Sequence, residues 1–290
     1  VEVDKIIPQS GTTLTVGDSG DTITVASGAT LSSAANVTIT GNLSVDGGTI
    51  KLDGNYPVGA RNVAIGNTAL DSGSLSGSNN VAVGDASLTE NTSGSNNTGL
   101  GYNSLFYNTT GSYNVAVGSL SLFSNTTGAD NTAMGLCSLR LNTTGGQNTA
   151  IGRKAMSNNT EGSNNTAIGR QTMTANTTAS NNTGVGALAL TSNTTGANNT
   201  AVGFSALTSN VTGAANTAVG FCALQNVDAS GNNAFGYFAL YNTNSGTCNV
   251  AIGQDSTRCN TSGSCNVSIG NQSLRSNTTA SNNVAVGVSS

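Results

Sequence analysis

Histidine and tryptophan are absent from this chain of 290 residues, proline occurs twice, aromatics make up 4% and charged residues only 8%. Each absence excludes something. Without histidine the commonest general base and the commonest metal ligand are gone, so any enzyme here would have to work with carboxylates alone. Nine Lys and Arg against 13 Asp and Glu give a net charge of -4, which is not the basic footprint of a nucleic-acid binder. The high net charge that marks disorder is missing too, and 36% apolar residues need burial. No apolar run approaches the roughly 18 residues of a membrane span, so no membrane insertion is expected. Val1 is not followed by a charged-then-apolar signal segment, and a processed or partial product is expected. Five cysteines are an odd number, and no CxxC spacing suggests zinc.

What is present is a repeat. Gly66, Gly84, Gly101, Gly118, Gly135, Gly152, Gly169, Gly186, Gly203, Gly220, Gly236, Gly253, Gly270 and Gly287 close strings such as "NTAVG" and "NVAIG". One gap between them is 18, one is 16, and every other gap is 17. Taking each Gly as position 0, position −4 is Asn in all 14 copies and position −3 is Val or Thr except at Asn233. Position −2 is Ala, Gly or Ser, and position −1 is large and apolar. Position +3 is Ala, Ser or Thr, and position +4 is Leu or Met except at Thr257. The rest is a turn-like string such as "SNTTGANN" (192–199).

These positions read as a short strand, a Gly bend, a second short strand or extended piece, and an Asn/Thr/Gly turn. A helix fails because Asn, Gly, Thr and Ser are poor helix formers and no 3.6-residue stripe fits. The fold expected is all-β: a parallel β-solenoid or β-roll of about fourteen 17-residue coils over 59–290, each coil pairing with the next. Alternation pairs positions −3 and −1 on one face, taken as the inner face, with Leu at +4 as their partner. Asn at −4 is expected to stack amide on amide along the axis, and Gly at 0 to supply positive φ or close backbone approach. Thirteen steps of about 4.8 Å give a rod of about 60 Å. Two large apolar side chains per coil, at roughly 1.5–3 kcal/mol each, leave a single roll under-cored against about 1–2 kcal/mol of backbone entropy per residue. With the small residues at −2 and +3 read as facing outward, several rolls are expected to pack together, most simply as a trimer.

Residues 1–58 lack the 17-residue register but alternate apolar and polar at 12–31 and 36–54. They read as a β-rich N-terminal shaft or cap, with Pro57 marking the change of register.

The "NTAVG" and "NVAIG" strings, with the small-then-Leu pair after them, resemble head repeats of trimeric autotransporter adhesins, which form left-handed parallel β-rolls in trimers. They resemble still more the repeats of bacteriophage tail-fibre proteins. "SGTTLTVGDSGDTITVASGATL" (10–31) and "KLDGNYPVGARNVAIGNTAL" (51–70) are similar to N-terminal segments of marine phage fibres. The resemblance covers nearly the whole chain. It implies a structural fibre on a virion or otherwise outside the cell, without catalysis or cofactor. Its partners would be two further copies, other virion tail proteins, and a host surface glycan or protein receptor. A bacterial surface adhesin or extracellular fibril is the alternative.

Tyr102, Phe204, Phe221 and Tyr237 share position +1, and Phe106, Phe123 and Tyr241 share +5. Aromatic rows can stack on sugars, so the +1 set are the receptor-contact candidates; filling gaps between rolls is the other reading. Rows of Thr on a solenoid also suit ice binding, but Thr at −3 is expected to face inward. The acidic residues (Asp71, Asp85, Glu90, Asp130, Glu161, Asp228 and Asp255) form no pattern of paired carboxylates for glycoside hydrolysis. Asn-x-Thr strings such as 142–144 and 164–166 are glycan acceptors in a eukaryotic secretory route or, elsewhere, turn chemistry. Cys248 and Cys265 share one position a coil apart, with Cys259 across the turn. Either a disulfide or free buried thiols fits them. Cys137 and Cys222 lie five coils apart and cannot pair within one straight roll.

Overall fold

A computed structural model describes residues 61–290. The shaft or cap expected over 1–58 lies outside the described residues. Fourteen three-residue strands run from β1 (Val63–Ile65) and β2 (Val81–Val83) through β9 (Thr200–Val202), β10 (Thr217–Val219), β11 (Asn233–Phe235), β12 (Val250–Ile252) and β13 (Val267–Ile269) to β14 (Val284–Val286). They form one parallel sheet in strict chain order, each strand hydrogen-bonded to its sequence neighbours. The register is position on position, Thr183 against Thr200 and Val185 against Val202. No helix occurs among the described residues. This is the parallel β-solenoid the repeat demands, with one strand per coil.

The expected second strand is absent; the chain after each Gly turns instead. Positions +2, +4 and −5 are left-handed and, except at Gly231, are not Gly, as at Leu120 (φ 57), Leu122 (φ 49) and Tyr113 (φ 61). Each such residue costs about 1–2 kcal/mol. The neighbouring coils over-determine the conformation, because the strained N–H groups within the stack find partners across a rung. Leu122 N donates to Ser138 O at 3.0 Å, Leu120 N to Tyr102 O at 2.9 Å and Tyr113 N to Ser95 O at 3.0 Å. Propensity for extended chain thus loses to stacking.

At position 0 the expectation for Gly holds. Gly118 has φ 124, and a Cβ there would stand 2.9 Å from the carbonyl carbon of Gly135 in the next coil. Both the backbone angle and the packing require its absence.

The strand faces are the reverse of the sequence reading. Position −2 points in: Ala116, Ala133, Ala150 and Ala167 have no exposed surface. Positions −3 and −1 point out. The small residues at +3 also face the interior, as Ser121 and Ala155 show, and Leu or Met at +4 is fully buried as expected. The reason is volume. A coil carrying one strand encloses room for one large side chain per rung, and Leu takes it; the opposite wall is left with methyl groups. Where position +3 enlarges to Thr172, position −2 of the next coil shrinks to Gly184, whose Cβ would sit 2.7 Å from Thr172 Cγ2. The small residues at −2 and +3 therefore do not form the outward face from which packing of several rolls was expected; the outward side chains are the large ones at −1.

Two columns of Asn side chains share the interior with the Leu and Ala rows. Asn at −4 forms the expected column, in a mixed form. Asn97 Oδ1 accepts the backbone N–H of Asn114 at 2.9 Å and its side-chain Nδ2 at 3.2 Å. A second Asn column, hidden in the turn string, stands at +7. Asn108 Nδ2 donates to Asn91 Oδ1 at 2.8 Å, and the link repeats rung by rung up to Asn210, which reaches Asn193 at 2.9 Å. Both columns also donate to one carbonyl row, Asn97 Nδ2 and Asn108 Nδ2 both reaching Gly111 O. Buried amides are stable only when satisfied in this way.

Candidate interaction surface

The outward face of the sheet runs through all fourteen strands of the described residues. Position −1 presents an unbroken apolar row over all fourteen strands, with Leu100, Met134, Ile151, Ile168, Phe235, Ile252 and Ile269 about 40% exposed. Alongside it runs position −3. Between β5 (Thr132–Met134) and β10 every strand carries Thr there, giving Thr132, Thr149, Thr166, Thr183, Thr200 and Thr217 in consecutive rungs. These hydroxyls face outward and are partly exposed, contrary to the inward direction expected.

The aromatic candidates divide. Phe204, Phe221 and Tyr237 stack in series, with ring centroids 5.4 and 5.3 Å apart and planes within 15°. Tyr102 is six coils away with no ring on either neighbouring rung; Asp85 and Ser119 hold those places. Stacking along the axis spends the ring faces on one another. It leaves the edges, and the outer faces of Phe204 and Tyr237, for any ligand.

Three residues that the sequence reading did not assign to this site complete it. Phe238 packs edge-on against Tyr237 at 4.3 Å and against Tyr241 at 4.8 Å. The Arg258 guanidinium lies 4.7 Å from the Phe238 ring and pairs with Asp255 at 3.0 Å. Adjacent positions +1, +2 and +5 on neighbouring rungs give the signal: in a stack, residues 16 or 17 apart are neighbours. Phe106 and Phe123 at +5 form a smaller pair, centroids 5.6 Å apart, with Tyr107 edge-on to both.

Other features carry less chemistry. Among the described residues no three His, Cys, Asp or Glu side chains gather as a metal site would need, and no helix is long and apolar enough to cross a membrane. Asn142 of the 142–144 string is a buried rung of the second amide column, whereas Asn164 of 164–166 is exposed at position −5. Cys222 is buried, and its thiol pKa is raised by that burial. Cys248 and Cys265 are exposed, so they are not the buried thiols the sequence allowed.

The repeat breaks at one place. The coil from Gly220 to Gly236 is one residue short, and Val227 stands where the second amide column needs Asn. Asn210 Oδ1 is consequently buried without a partner, as are the hydroxyls of Thr243 on the next rung and of Thr257, which replaces the core Leu. In regular coils three successive N–H groups converge on one carbonyl, as Thr109, Thr110 and Gly111 do on Thr126 O. In the short coil the side chain of Asp228 substitutes for that carbonyl. Its Oδ1 accepts from the backbone N–H groups of Val211 (2.9 Å), Thr212 (2.7 Å) and Gly213 (3.2 Å). Partial burial pushes the Asp228 carboxyl up, and these hydrogen bonds outweigh it and hold the group below its ordinary value.

No protein-family model, curated protein or solved structure matches this chain.

Proposed function

We propose that the chain is a structural, non-enzymatic fibre protein in which three copies pack their sheet faces about a common axis and present the remaining surface for attachment to a host cell. One observation carries the reading: the apolar row at position −1, exposed over about 60 Å of rungs. Soluble monomers rarely leave so long a contiguous apolar stripe bare. A surface that covers every rung at once needs the same rung spacing, and another copy of the chain has it. The resemblance of the repeats to phage tail-fibre and adhesin head repeats supports a virion-borne or otherwise extracellular setting. Other tail proteins at one end and a host glycan or protein receptor are then the partners. A bacterial surface adhesin or extracellular fibril of the same β-roll type is the alternative setting. The stack of Phe204, Phe221 and Tyr237, extended by Phe238, Tyr241 and Arg258, is the receptor-contact candidate; Tyr102 stands outside it.

The test is mass in solution. Light scattering on the native protein is expected to give three times the 28.6 kDa chain, and Ile151→Asp with Ile168→Asp is expected to return monomer. A native monomer overturns the assembly. Host adsorption unaffected by Phe204→Ala, Phe221→Ala and Tyr237→Ala together removes the receptor role from the stack.

The outward Thr row favours a second reading, a flat solenoid face that orders water against ice. Thermal hysteresis shown by a monomeric protein, and lost in Thr166→Leu with Thr183→Leu, would support it over the fibre.

A further inference from the structure

We infer that Cys248 and Cys265 form a disulfide that staples the β12 coil to the β13 coil. The two residues occupy position −5 on consecutive rungs, each at the turn that enters its strand. Their backbones repeat, with φ 57 and 59. Each hangs on the rung before it, Cys248 N donating to Ser230 O at 3.4 Å and Cys265 N to Thr247 O at 3.0 Å. Consecutive Cα atoms in register are about 4.8 Å apart, inside the roughly 4.4–6.8 Å that a disulfide spans.

The direction of the thiol is also fixed. Position −5 of the preceding coil is Gly231, and a Cβ on it would stand 3.4 Å from Cys248 Sγ. The side chain at this position therefore lies over the Cβ of the residue one rung back. For Cys265 that residue is Cys248, which has a real Cβ carrying sulfur. In a disulfide the sulfur and its partner's Cβ are roughly 3 Å apart and the two Cβ atoms roughly 3.5–4.5 Å apart, so closing the bond takes a rotation about Cα–Cβ and an approach of a few tenths of an ångström from the rung spacing of about 4.8 Å. Cys259 has no such relation; it lies beyond the turn from Cys265, at position +6.

The place has a structural use for a staple. The 248–265 segment contains Thr257, where the core Leu is missing, and the rung before it contains Thr243, where the second amide column is interrupted. A cross-link that closes a 17-residue loop restricts the unfolded chain where the folded one is held least well. The thiols are exposed, so oxidant reaches them in the assembled rod. With a low-molecular-weight disulfide as oxidant, one Cys thiolate attacks it and expels one small thiol. The second Cys thiolate then attacks the mixed disulfide and expels the other. Two cysteine protons and two electrons leave, and the oxidant is reduced to two thiols.

The test is a thiol count and a peptide map on the full chain. After incubation with glutathione disulfide and alkylation under denaturing conditions, three thiols are expected where the reduced protein shows five. The intact mass is expected to fall by two hydrogens. A non-reducing tryptic digest is expected to join the peptides 171–258 and 259–275, with chymotrypsin assigning the link to Cys248 rather than Cys222. The melting temperature of the oxidised protein is expected to exceed that of the reduced protein by about 5–10 °C, with Cys265→Ser showing no difference between the two conditions. Five persisting thiols overturn the inference. So do a Cys259–Cys265 link, which stays within one tryptic peptide, and a covalent dimer on a non-reducing gel.

Discussion

Two stretches of the same rod share one repeat and differ in how well they obey it. From Gly84 to Gly220 every gap is 17 residues, Leu or Met fills every +4 site, and an uninterrupted run of Asn links one rung to the next. From Gly220 to Gly270 a residue is lost, Val227 and Thr243 replace Asn, Thr257 replaces Leu, and the hydroxyls of Thr243 and Thr257 are buried without partners, as is Asn210 Oδ1 on the rung that borders this stretch. The sheet itself passes through both with the same pairing. Backbone pairing therefore tolerates what side-chain stacking does not. The irregular stretch also holds most of the large aromatic stack, the Arg258–Asp255 pair and four of the five cysteines. Departures from a consensus are where function or compensation is usually found.

The comparison breaks most easily at position 0. Gly135→Val puts a branched side chain where a Cβ would already be 2.7 Å from the carbonyl carbon of Gly152, at a φ that L residues rarely adopt. Thermal or denaturant unfolding is expected to show a loss of about 4 kcal/mol, or no folded protein at all. Next comes the core. Leu139→Ala in the regular stretch is expected to cost about 2–5 kcal/mol, whereas Thr257→Leu in the irregular one is expected to stabilise by about 1–2 kcal/mol, because it both fills the site and removes an unpartnered hydroxyl. A stability loss from Thr257→Leu would mean that the irregular rung is not a defect.

A finer contrast uses one chemistry at two rungs. Asn125→Ala removes a donor and an acceptor from the middle of the column, and about 2 kcal/mol is expected to go with them. Asn210→Ala removes the same two donor bonds, to Asn193 and Gly213, but an oxygen that has no partner, and equilibrium unfolding is expected to register a smaller loss. The smallest effect is on pH. The Asp228 carboxyl is held below its ordinary value, so the folded state binds its proton less readily than the unfolded one. Its contribution is present above the ordinary carboxylate range and declines as pH falls through and below it. Asp228→Asn is expected to flatten that part of a stability–pH curve and to lower stability slightly at neutral pH, the two proteins converging as the carboxyl protonates.

Much of this architecture was legible because stacking converts identical positions into ladders. A Gly, an Asn and a Leu that return every 17 residues have few folded meanings other than a solenoid. The strand faces were not legible. Period-two alternation separates positions −3 and −1 from −2 but does not say which set is inside, and the usual preference for burying the larger set fails in a coil too narrow to hold it. Asn108 and its equivalents were hidden for a different reason. Next to Thr-Thr-Gly they have the composition of a turn, and only the rung above turns them into core. The aromatic cluster was half visible, since Phe204, Phe221 and Tyr237 share a position whereas Phe238 and Arg258 join from neighbouring ones.

The sameness of the rungs has one further consequence. Because each coil meets only the coil before and the coil after, and meets both in the same way, an in-phase recombination between two copies of the repeat adds or removes whole coils. Every surviving rung then keeps an intact neighbour on each side. Length in this molecule is therefore close to a free variable under selection, adjustable like a ruler cut at any mark. In the one short coil, off that mark by a residue, Asp228 Oδ1 supplies the acceptor that a backbone carbonyl supplies elsewhere.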